Sequence, residues 1–155
     1  GFDLFGKTLG VIGVGNIGSH VIRIAKGIGM DVIAYKRTPD PRLAADLGFK
    51  FVSMDELIAT SDIITVHVPY NKETHHLLNA ESFSKMKNGA IVINTARGAI
   101  VDTGALLTAI NSGKVGAAGL DVLEEEPLLR EEHELLHKDF APEELMNVFG
   151  IVKHV

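Results

Sequence analysis

The chain of 155 residues is long enough for one domain with a single hydrophobic core. A formal net charge of −5 argues against a nucleic-acid-binding surface, and the absence of cysteine excludes disulfides and thiolate metal sites. No apolar run approaches the roughly 20 residues of a transmembrane helix, so we expect none, and no cationic targeting segment opens the chain. The absence of cysteine fits a cytoplasmic protein, which is the location we expect.

A glycine turn follows the first predicted strand. The sequence GVGNIG occupies positions 13–18, after an apolar strand and before a mostly apolar helix. In such a unit, Gly13 lets the chain reverse, Gly15 lets the backbone approach a pyrophosphate, and Gly18 lets the helix pack closely on the strand. The N–H groups and the dipole at the helix start can then hold phosphates. An ordinary tight turn is the alternative for the motif alone, but the flanking strand and helix favour a dinucleotide-binding turn.

Strands and helices alternate along the chain. Strands are predicted at residues 7–14, 31–35, 50–52, 62–68, 90–95 and 117–122. Helices are predicted at residues 16–29, 41–48, 54–59, 80–86 and 103–112, with charged helical segments over residues 128–155. Because parallel strands are joined by crossover helices, this alternation predicts a three-layer α/β fold with a doubly wound parallel sheet. We expect all 155 residues to form one Rossmann-type dinucleotide-binding domain.

Polar residues and one glycine mark several helix ends. Ser53 and Glu56 have the spacing of a capping box, and Asn79 and Asp102 precede predicted helices as N-caps do. Gly48 closes its helix as a C-cap glycine would. These residues therefore predict where the helices begin and end, which the apolar pattern alone does not determine.

Candidate ligand-binding segments follow the predicted strands. In doubly wound sheets, ligands bind at the carboxyl ends of the strands. The segments that come directly after a strand are positions 13–18, 36–38, 67–70, 95–97 and 121–126. Their shared placement predicts a binding edge of the sheet, of which the glycine turn is one part.

Two cations follow the second predicted strand. Many NAD-binding domains have an acidic residue here that hydrogen-bonds the ribose 2′-hydroxyl, whereas this chain has Lys36 and Arg37. Cations attract a 2′-phosphate that a carboxylate would repel. The sequence thus permits NADP as well as NAD, and a solvated basic turn in an NAD-binding protein is the open alternative.

Two charged residues near later strand ends are candidates for catalysis. Arg97 lies in a turn after an apolar strand, where a guanidinium can hold a carboxylate through two hydrogen bonds and polarise a neighbouring carbonyl. Glu126 precedes Pro127, and a carboxylate can orient an imidazole and stabilise its charged form. A surface arginine is the alternative for Arg97, and the residues alone do not separate Glu126 from Glu124 and Glu125.

Four segments form a distinctive pattern. They are GVIGVGNIG at 10–18, HVPYNKETHHLLN at 67–79, NGAIVINTARGAIVD at 88–102 and GAAGLDVLEEEP at 116–127. With these segments, which cover most of residues 4–127, the chain resembles the cofactor domain of the D-2-hydroxyacid dehydrogenases. The NTARG and DVxEEEP blocks are more specific than the glycine turn, and HVPY and KETHHLLN are most similar to the D-lactate dehydrogenase branch.

The resemblance implies a reaction. Hydride would pass between NAD(P)H and the carbonyl carbon of a small 2-oxoacid, which becomes a D-2-hydroxyacid. Arg97 would bind the carboxylate and carbonyl of the substrate, and Glu126 would pair with a histidine that serves as general acid and base. The two residues are therefore the catalytic candidates of the chain.

The resemblance also implies the contacts of the cofactor, NAD or NADP. The residues implied at the pyrophosphate are Gly15, Asn16 and Ile17. Those implied on the adenine or ribose side are His67, Val68, Pro69 and Thr74. Those implied on the nicotinamide side are Thr95, Ala96 and, at the carboxamide, Asp121. No residue is assigned to a metal ion.

One feature of the family is absent from the sequence. The acid–base histidine of the family lies in a TPH motif, and no TPH occurs in this chain. In NVFGIVKHV at 147–155, Lys153 stands where that histidine would be, and apolar residues at helical spacing favour an insert helix. We expect the motif, and a substrate domain built from both ends of a longer protein, to lie outside this chain, which alone would be inactive. The family further implies a homodimer.

Other interpretations of the sequence are open. HELLH at 133–137 matches the HExxH zinc motif, but its charged neighbours and the lack of a third ligand favour chance. His75 and His76 are interpreted as hydrophilic surface. Because a fold alone does not determine function, the alternative function is a non-enzymatic, NAD(H)-sensing regulatory or corepressor-type domain of the same fold.

Overall fold

The computed structural model describes residues 3–124, with a six-stranded parallel sheet at its centre. The strands are β1 (Thr8–Ile12), β2 (Asp31–Tyr35), β3 (Lys50–Phe51), β4 (Ile63–Val66), β5 (Ala90–Asn94) and β6 (Val115–Leu120). The helices are α1 (Asn16–Gly27), α2 (Pro41–Leu47), α3 (Met54–Thr60), α4 (Ala80–Lys85) and α5 (Thr103–Asn111). The strand order β3-β2-β1-β4-β5-β6, with every neighbouring pair parallel, confirms the predicted doubly wound α/β fold.

The sheet separates two hydrophobic cores. Alternate residues of a strand point to opposite faces, so Leu9 and Val11 cluster with residues of α1 and α2, whereas Ile12 clusters with residues of α3, α4 and α5. Leu57 and Phe83 are among the largest buried side chains of the second core, and burying each stabilises the fold by about 2–3 kcal/mol. Burial on both faces explains why the central strands are apolar at successive positions.

The predicted capping residues are found at the helix ends, but the complete capping box forms at α4 and not at α3. The predicted caps that the structure contains are Gly48, Asn79 and Asp102. Ser53 accepts a hydrogen bond from the Glu56 N–H (3.1 Å), which is half of the capping box predicted there. The complete, reciprocal box forms at α4, between Asn79 and Ser82. Ser82 is buried, so water competes less for its hydroxyl than for the exposed Glu56 carboxylate.

The largest boundary difference is at β6. This strand was predicted at residues 117–122 and spans Val115–Leu120. Val115 pairs with Ala90 and Ala117 pairs with Ile91, so Gly116 is an extra residue of β6 and pairing begins before the predicted start. The small residues of VGAAGL give little apolar alternation from which a boundary could be predicted.

Asp62 joins the amino-terminal ends of two central strands. Its carboxylate accepts hydrogen bonds from the Thr8 N–H (2.8 Å) and the Lys87 ammonium (2.9 Å). Burial raises the pKa of Asp62, but the Thr8 N–H bond and the charges of Lys87 and Lys7 lower it by more, so the pKa lies below its ordinary value. Folding therefore favours the ionised form of the Asp62 side chain, and this carboxylate in turn stabilises the folded protein.

We expect Asp62→Asn to lower the free energy of unfolding by about 1–2 kcal/mol at pH 7, because a neutral amide accepts weaker hydrogen bonds than a carboxylate. A carboxylate with a depressed pKa stabilises the fold above its unfolded pKa of about 3.9, and this stabilisation is lost as the pH falls through the folded pKa. Urea unfolding from pH 7 to pH 3 should show the two proteins converging at acid pH. Asp55→Asn, which removes an exposed partner of Lys85, is the control, and a pH-independent difference at Asp62 would contradict the assignment.

Candidate functional site

The predicted ligand-binding segments lie along one edge of the sheet. Ile12, Val66, Asn94 and Leu120 pair across β1, β4, β5 and β6, so these four strands end level with one another. The hydrogen bonds continue one step past the strands, where the His67 N–H donates to the Ile12 carbonyl (2.7 Å). The glycine turn and the turn that carries Arg97 are consequently on the same side of the molecule.

Two glycines of the turn are required by their contacts. Gly13 has φ +96°, and a Cβ there would lie 2.8 Å from the His67 carbonyl. A Cβ at Gly18 would overlap the carbonyl oxygen of Gly13. A larger residue at Gly18 would push α1 away from the end of β1, and one at Gly13 would push against the His67 backbone after β4.

Gly15 has a different role, because a side chain there would meet nothing. It is the N-cap of α1 with φ −102°, and no protein atom lies within 4 Å of the place where its Cβ would be. It supplies no side-chain oxygen to the first-turn N–H groups, and that turn contains no acidic residue. The space and the uncapped amides fit an anion such as a diphosphate held by the helix start.

A cavity of about 470 Å³ opens beside this turn, between the ends of β1, β2 and β4. The predicted cofactor-binding residues that line it are Gly13, Gly15, Lys36, Arg37, His67, Val68, Pro69 and Thr74. The cavity is also lined by residues that the sequence analysis did not assign to the cofactor, namely Val14, Tyr35, Met54, Asn71, Glu73 and Leu77. An apolar interior with cations at one end suits a nucleoside with a phosphate attached.

The other predicted residues lie along the same edge but outside this cavity. Asn16 and Ile17 are exposed at the start of α1, and Gly18, the next residue of the helix, is buried. The residues that follow β5 and β6 are Thr95, Ala96, Arg97 and Asp121, of which Ala96 is partly buried and the rest are exposed. Glu126, Lys153, the HELLH segment and the helical segments predicted over residues 128–155 lie outside the described residues.

The loop after β4 is held by its own side chains. The Thr74 hydroxyl donates to the Pro69 carbonyl (2.8 Å) and accepts from the Asn71 N–H (2.8 Å). The Asn71 side chain accepts from the N–H groups of Glu73 (2.8 Å) and Thr74 (3.1 Å). These bonds give one wall of the cavity a defined shape before any ligand binds.

His67 lines the cavity as a neutral group. Burial lowers its pKa, because an imidazolium is poorly solvated there. Its Nε2 lies 2.9 Å from the hydroxyl of buried Thr65, an arrangement in which the hydroxyl can donate to an uncharged ring. His67 therefore contributes shape and hydrogen bonding at neutral pH rather than positive charge.

Asn94 is a supporting residue that the sequence analysis missed. It is fully buried, its amide NH₂ donates to the Arg97 carbonyl (2.9 Å), and its carbonyl oxygen accepts from the Ala96 N–H (3.0 Å). Asn94 thus shapes the turn that presents Arg97. The available signal was a single amide side chain at the end of an otherwise apolar strand, AIVIN.

The interpretation of both loop histidines as hydrophilic surface is wrong for His76. His75 is exposed, but the His76 side chain is only 33% exposed, and its Nε2 contacts the Glu124 carboxylate. Its Nδ1 lies 3.8 Å from Asp102, and its backbone has φ 47°. Glu124 also lies 3.4 Å from the Thr103 N–H, so contacts within the fold hold this carboxylate.

A doubly wound parallel sheet, an uncapped helix start at a glycine turn and a cavity at the strand ends define a dinucleotide-binding domain. Residues 1–141 match the family described as D-isomer specific 2-hydroxyacid dehydrogenase, NAD binding domain. The chain belongs to this family, which confirms the resemblance seen in the sequence.

Three relatives show the extent of the similarity. The glyoxylate reductase of Thermococcus litoralis is 47% identical over 132 residues, 85% of this chain and 40% of that protein. The structure of Salmonella D-lactate dehydrogenase is 46% identical with a TM-score of 0.77, and the match covers 81% of this chain and 38% of that one. The structure of D-lactate dehydrogenase with NAD⁺ from Lactobacillus jensenii is 33% identical with a TM-score of 0.82, covering 98% of this chain and 44% of that one. The chain thus spans about two fifths of the length of its relatives.

Two further findings concern residues 3–124 alone. Their longest helix, α1, has 12 residues, and no helix in this range is long and apolar enough to cross a membrane. The same residues contain no group of three or more His, Asp or Glu side chains placed to hold a metal ion.

We expect Gly15→Asp to fold normally and to raise the Kd for NADH at least about tenfold. The new carboxylate has room, caps the first-turn amides and so competes with the diphosphate for them, while it stabilises α1 by only about 0.3 kcal/mol, because glycine is itself a fair N-cap residue. NADH fluorescence titration and thermal unfolding would measure the two effects. Gly27→Asp places the same charge at the far end of α1, where a Cβ also meets nothing, and should leave NADH binding unchanged. Tight NADH binding by Gly15→Asp would show that the diphosphate lies elsewhere.

Proposed function

We propose that this chain is the cofactor-binding domain of an oxidoreductase that transfers hydride between NAD(P)H and a small 2-oxoacid. The observation that carries the proposal is the common edge on which the glycine turn and Arg97 both lie. The family and the similarity to glyoxylate reductases and D-lactate dehydrogenases support a 2-oxoacid as the substrate class. In this proposal the substrate domain is a separate part of a longer protein.

The proposed cofactor contacts divide along the edge. The amides of Gly15, Asn16 and Ile17 hold the diphosphate at the start of α1. The cavity holds the adenosine half, against Lys36, Arg37 and the loop that follows β4. Thr95, Ala96 and Asp121, which follow β5 and β6, contact the nicotinamide half. NAD fits these residues, and Lys36 and Arg37 extend the proposal to NADP.

Arg97 is proposed to bind the substrate. Its guanidinium donates one hydrogen bond to the Ala96 carbonyl (2.6 Å), and its side chain is otherwise open to solvent within the described part of the chain. A planar guanidinium can bind the carboxylate of a 2-oxoacid through two hydrogen bonds and polarise the adjacent carbonyl. The cofactor supplies the hydride, and Arg97 stabilises the negative charge that develops on the carbonyl oxygen.

Proton transfer is proposed to depend on residues beyond those described. Glu126 would orient a histidine and stabilise its charged form, and that histidine would protonate the carbonyl oxygen. Among the three adjacent glutamates, Glu124 is already held by His76, and the resemblance assigns the role to Glu126, the glutamate before Pro127. A cytoplasmic location belongs to the same proposal.

A homodimer is also proposed. Ile17 and Ile24 of α1, and Ile28 directly after its end, are exposed at helical spacing, with exposed fractions of 67%, 66% and 48%. An exposed apolar row of this kind supports the proposal that a second copy of the chain covers this surface, in line with the dimer that the resemblance implies.

We expect Arg97→Gln, in a protein that joins this chain to its substrate domain, to lower kcat/KM for 2-oxoacids by about 10²–10³-fold, because one charged donor to the carbonyl oxygen is lost. Steady-state assays with pyruvate, hydroxypyruvate and glyoxylate would measure the loss, and NADH binding should be unchanged. Arg42→Gln, an exposed arginine on α2, is the matched control. Binding of NADH without turnover of any 2-oxoacid by the parent protein would favour the dinucleotide-sensing alternative.

A further inference from the structure

An ion pair spans the mouth of the cavity. The Arg37 guanidinium, just after β2, lies 2.8 Å from a carboxylate oxygen of Glu73, in the loop after β4. Both residues line the cavity, so the pair connects two of its walls. Their side chains are 81% and 72% exposed, which places the pair where the cavity meets solvent.

The position of Glu73 is set by the loop that carries it. The Glu73 N–H donates to the Asn71 side chain (2.8 Å), and the adjacent Thr74 is bonded to the Pro69 carbonyl (2.8 Å). The backbone therefore presents the Glu73 carboxylate toward the end of β2. Glu73 is the acidic residue among those that line the cavity, and the cations there are Lys36 and Arg37.

This carboxylate changes what Arg37 can offer a ligand. A 2′-phosphate adds negative charge, so it must displace Glu73 from Arg37 or lie beside a like charge. A ribose 2′-hydroxyl carries no charge and can donate a hydrogen bond to Glu73, much as it does to the acidic residue usual at such sites. The cost to a 2′-phosphate is modest, because exposed ion pairs contribute only about 0.2–1 kcal/mol.

We propose that Glu73 determines cofactor specificity: paired with Arg37 across the cavity mouth, it disfavours dinucleotides that carry a 2′-phosphate and gives NADH the advantage. This inference rests on the proposed placement of the adenosine half in the cavity. It predicts that the basic pair Lys36-Arg37 confers less preference for NADP than its charge suggests.

Removing the carboxylate tests the proposal. In the 155-residue chain, Glu73→Gln should lower the Kd for NADPH by about two- to fivefold and change the Kd for NADH by less than twofold. Fluorescence titrations of both dinucleotides at about 20 mM salt would measure this, and the gain should shrink at about 500 mM salt. Glu81→Gln removes an equal charge from an ion pair of the same length, with Lys85 on α4, and should leave the ratio of the two Kd values unchanged.

The same substitution in an Arg37→Gln variant distinguishes an effect of the ion pair from simple charge repulsion between Glu73 and the 2′-phosphate. In Arg37→Gln, the additional change Glu73→Gln should alter the NADPH-to-NADH ratio by less than it does in the parent chain. The same gain in both backgrounds would overturn the role of the pair, as would an unchanged ratio in Glu73→Gln when NADH still binds. If the folded parent chain bound neither dinucleotide, the proposed cofactor site itself would fail, and this inference with it.

Discussion

The contact between Gly18 and the Gly13 carbonyl is the constraint on which the site depends. It brings the start of α1 directly over the end of β1, where no Cβ would fit. The uncapped N–H groups at Gly15 therefore face the edge of the sheet at a fixed place. Gly13 in turn lies against His67, so the loop after β4 is positioned by the same turn.

Charge in the site is more balanced than the sequence suggests. Lys36 and Arg37 make the end of β2 look strongly basic, yet Glu73 neutralises Arg37 and burial keeps His67 uncharged. Attraction for an anion at the glycine turn therefore comes mainly from backbone groups, whose charge does not change with pH. Backbone amides held by packing need no reorganisation when a ligand arrives, which favours binding of a diphosphate in one orientation.

Local patterns predicted most of the fold. Apolar β-branched runs gave the central strands, and single polar residues such as Asp102 gave helix starts, because both signals depend on neighbours in the sequence. The start of β6 was missed because its pairing with β5 is irregular there, with Gly116 as an extra residue of β6. The glycine turn and the strand ends of the site were likewise predicted from residues that are neighbours in the sequence. The Arg37–Glu73 pair and the contacts of His76 join residues far apart in sequence, so no local pattern could show them.

The two walls of the cavity are joined through backbone contacts at Gly13, which lies against His67 and whose N–H donates to the Tyr35 carbonyl (2.9 Å). The loop after β4 is also held by the hydrogen bonds of Asn71 and Thr74, so the shape of the walls does not depend on the ion pair. The ion pair at the mouth consists of long, exposed side chains, which rotate within picoseconds to nanoseconds. Admission of a nucleotide would then be a matter of rotamer exchange, and its arrival rate would be set by diffusion rather than by a slow opening of the loop.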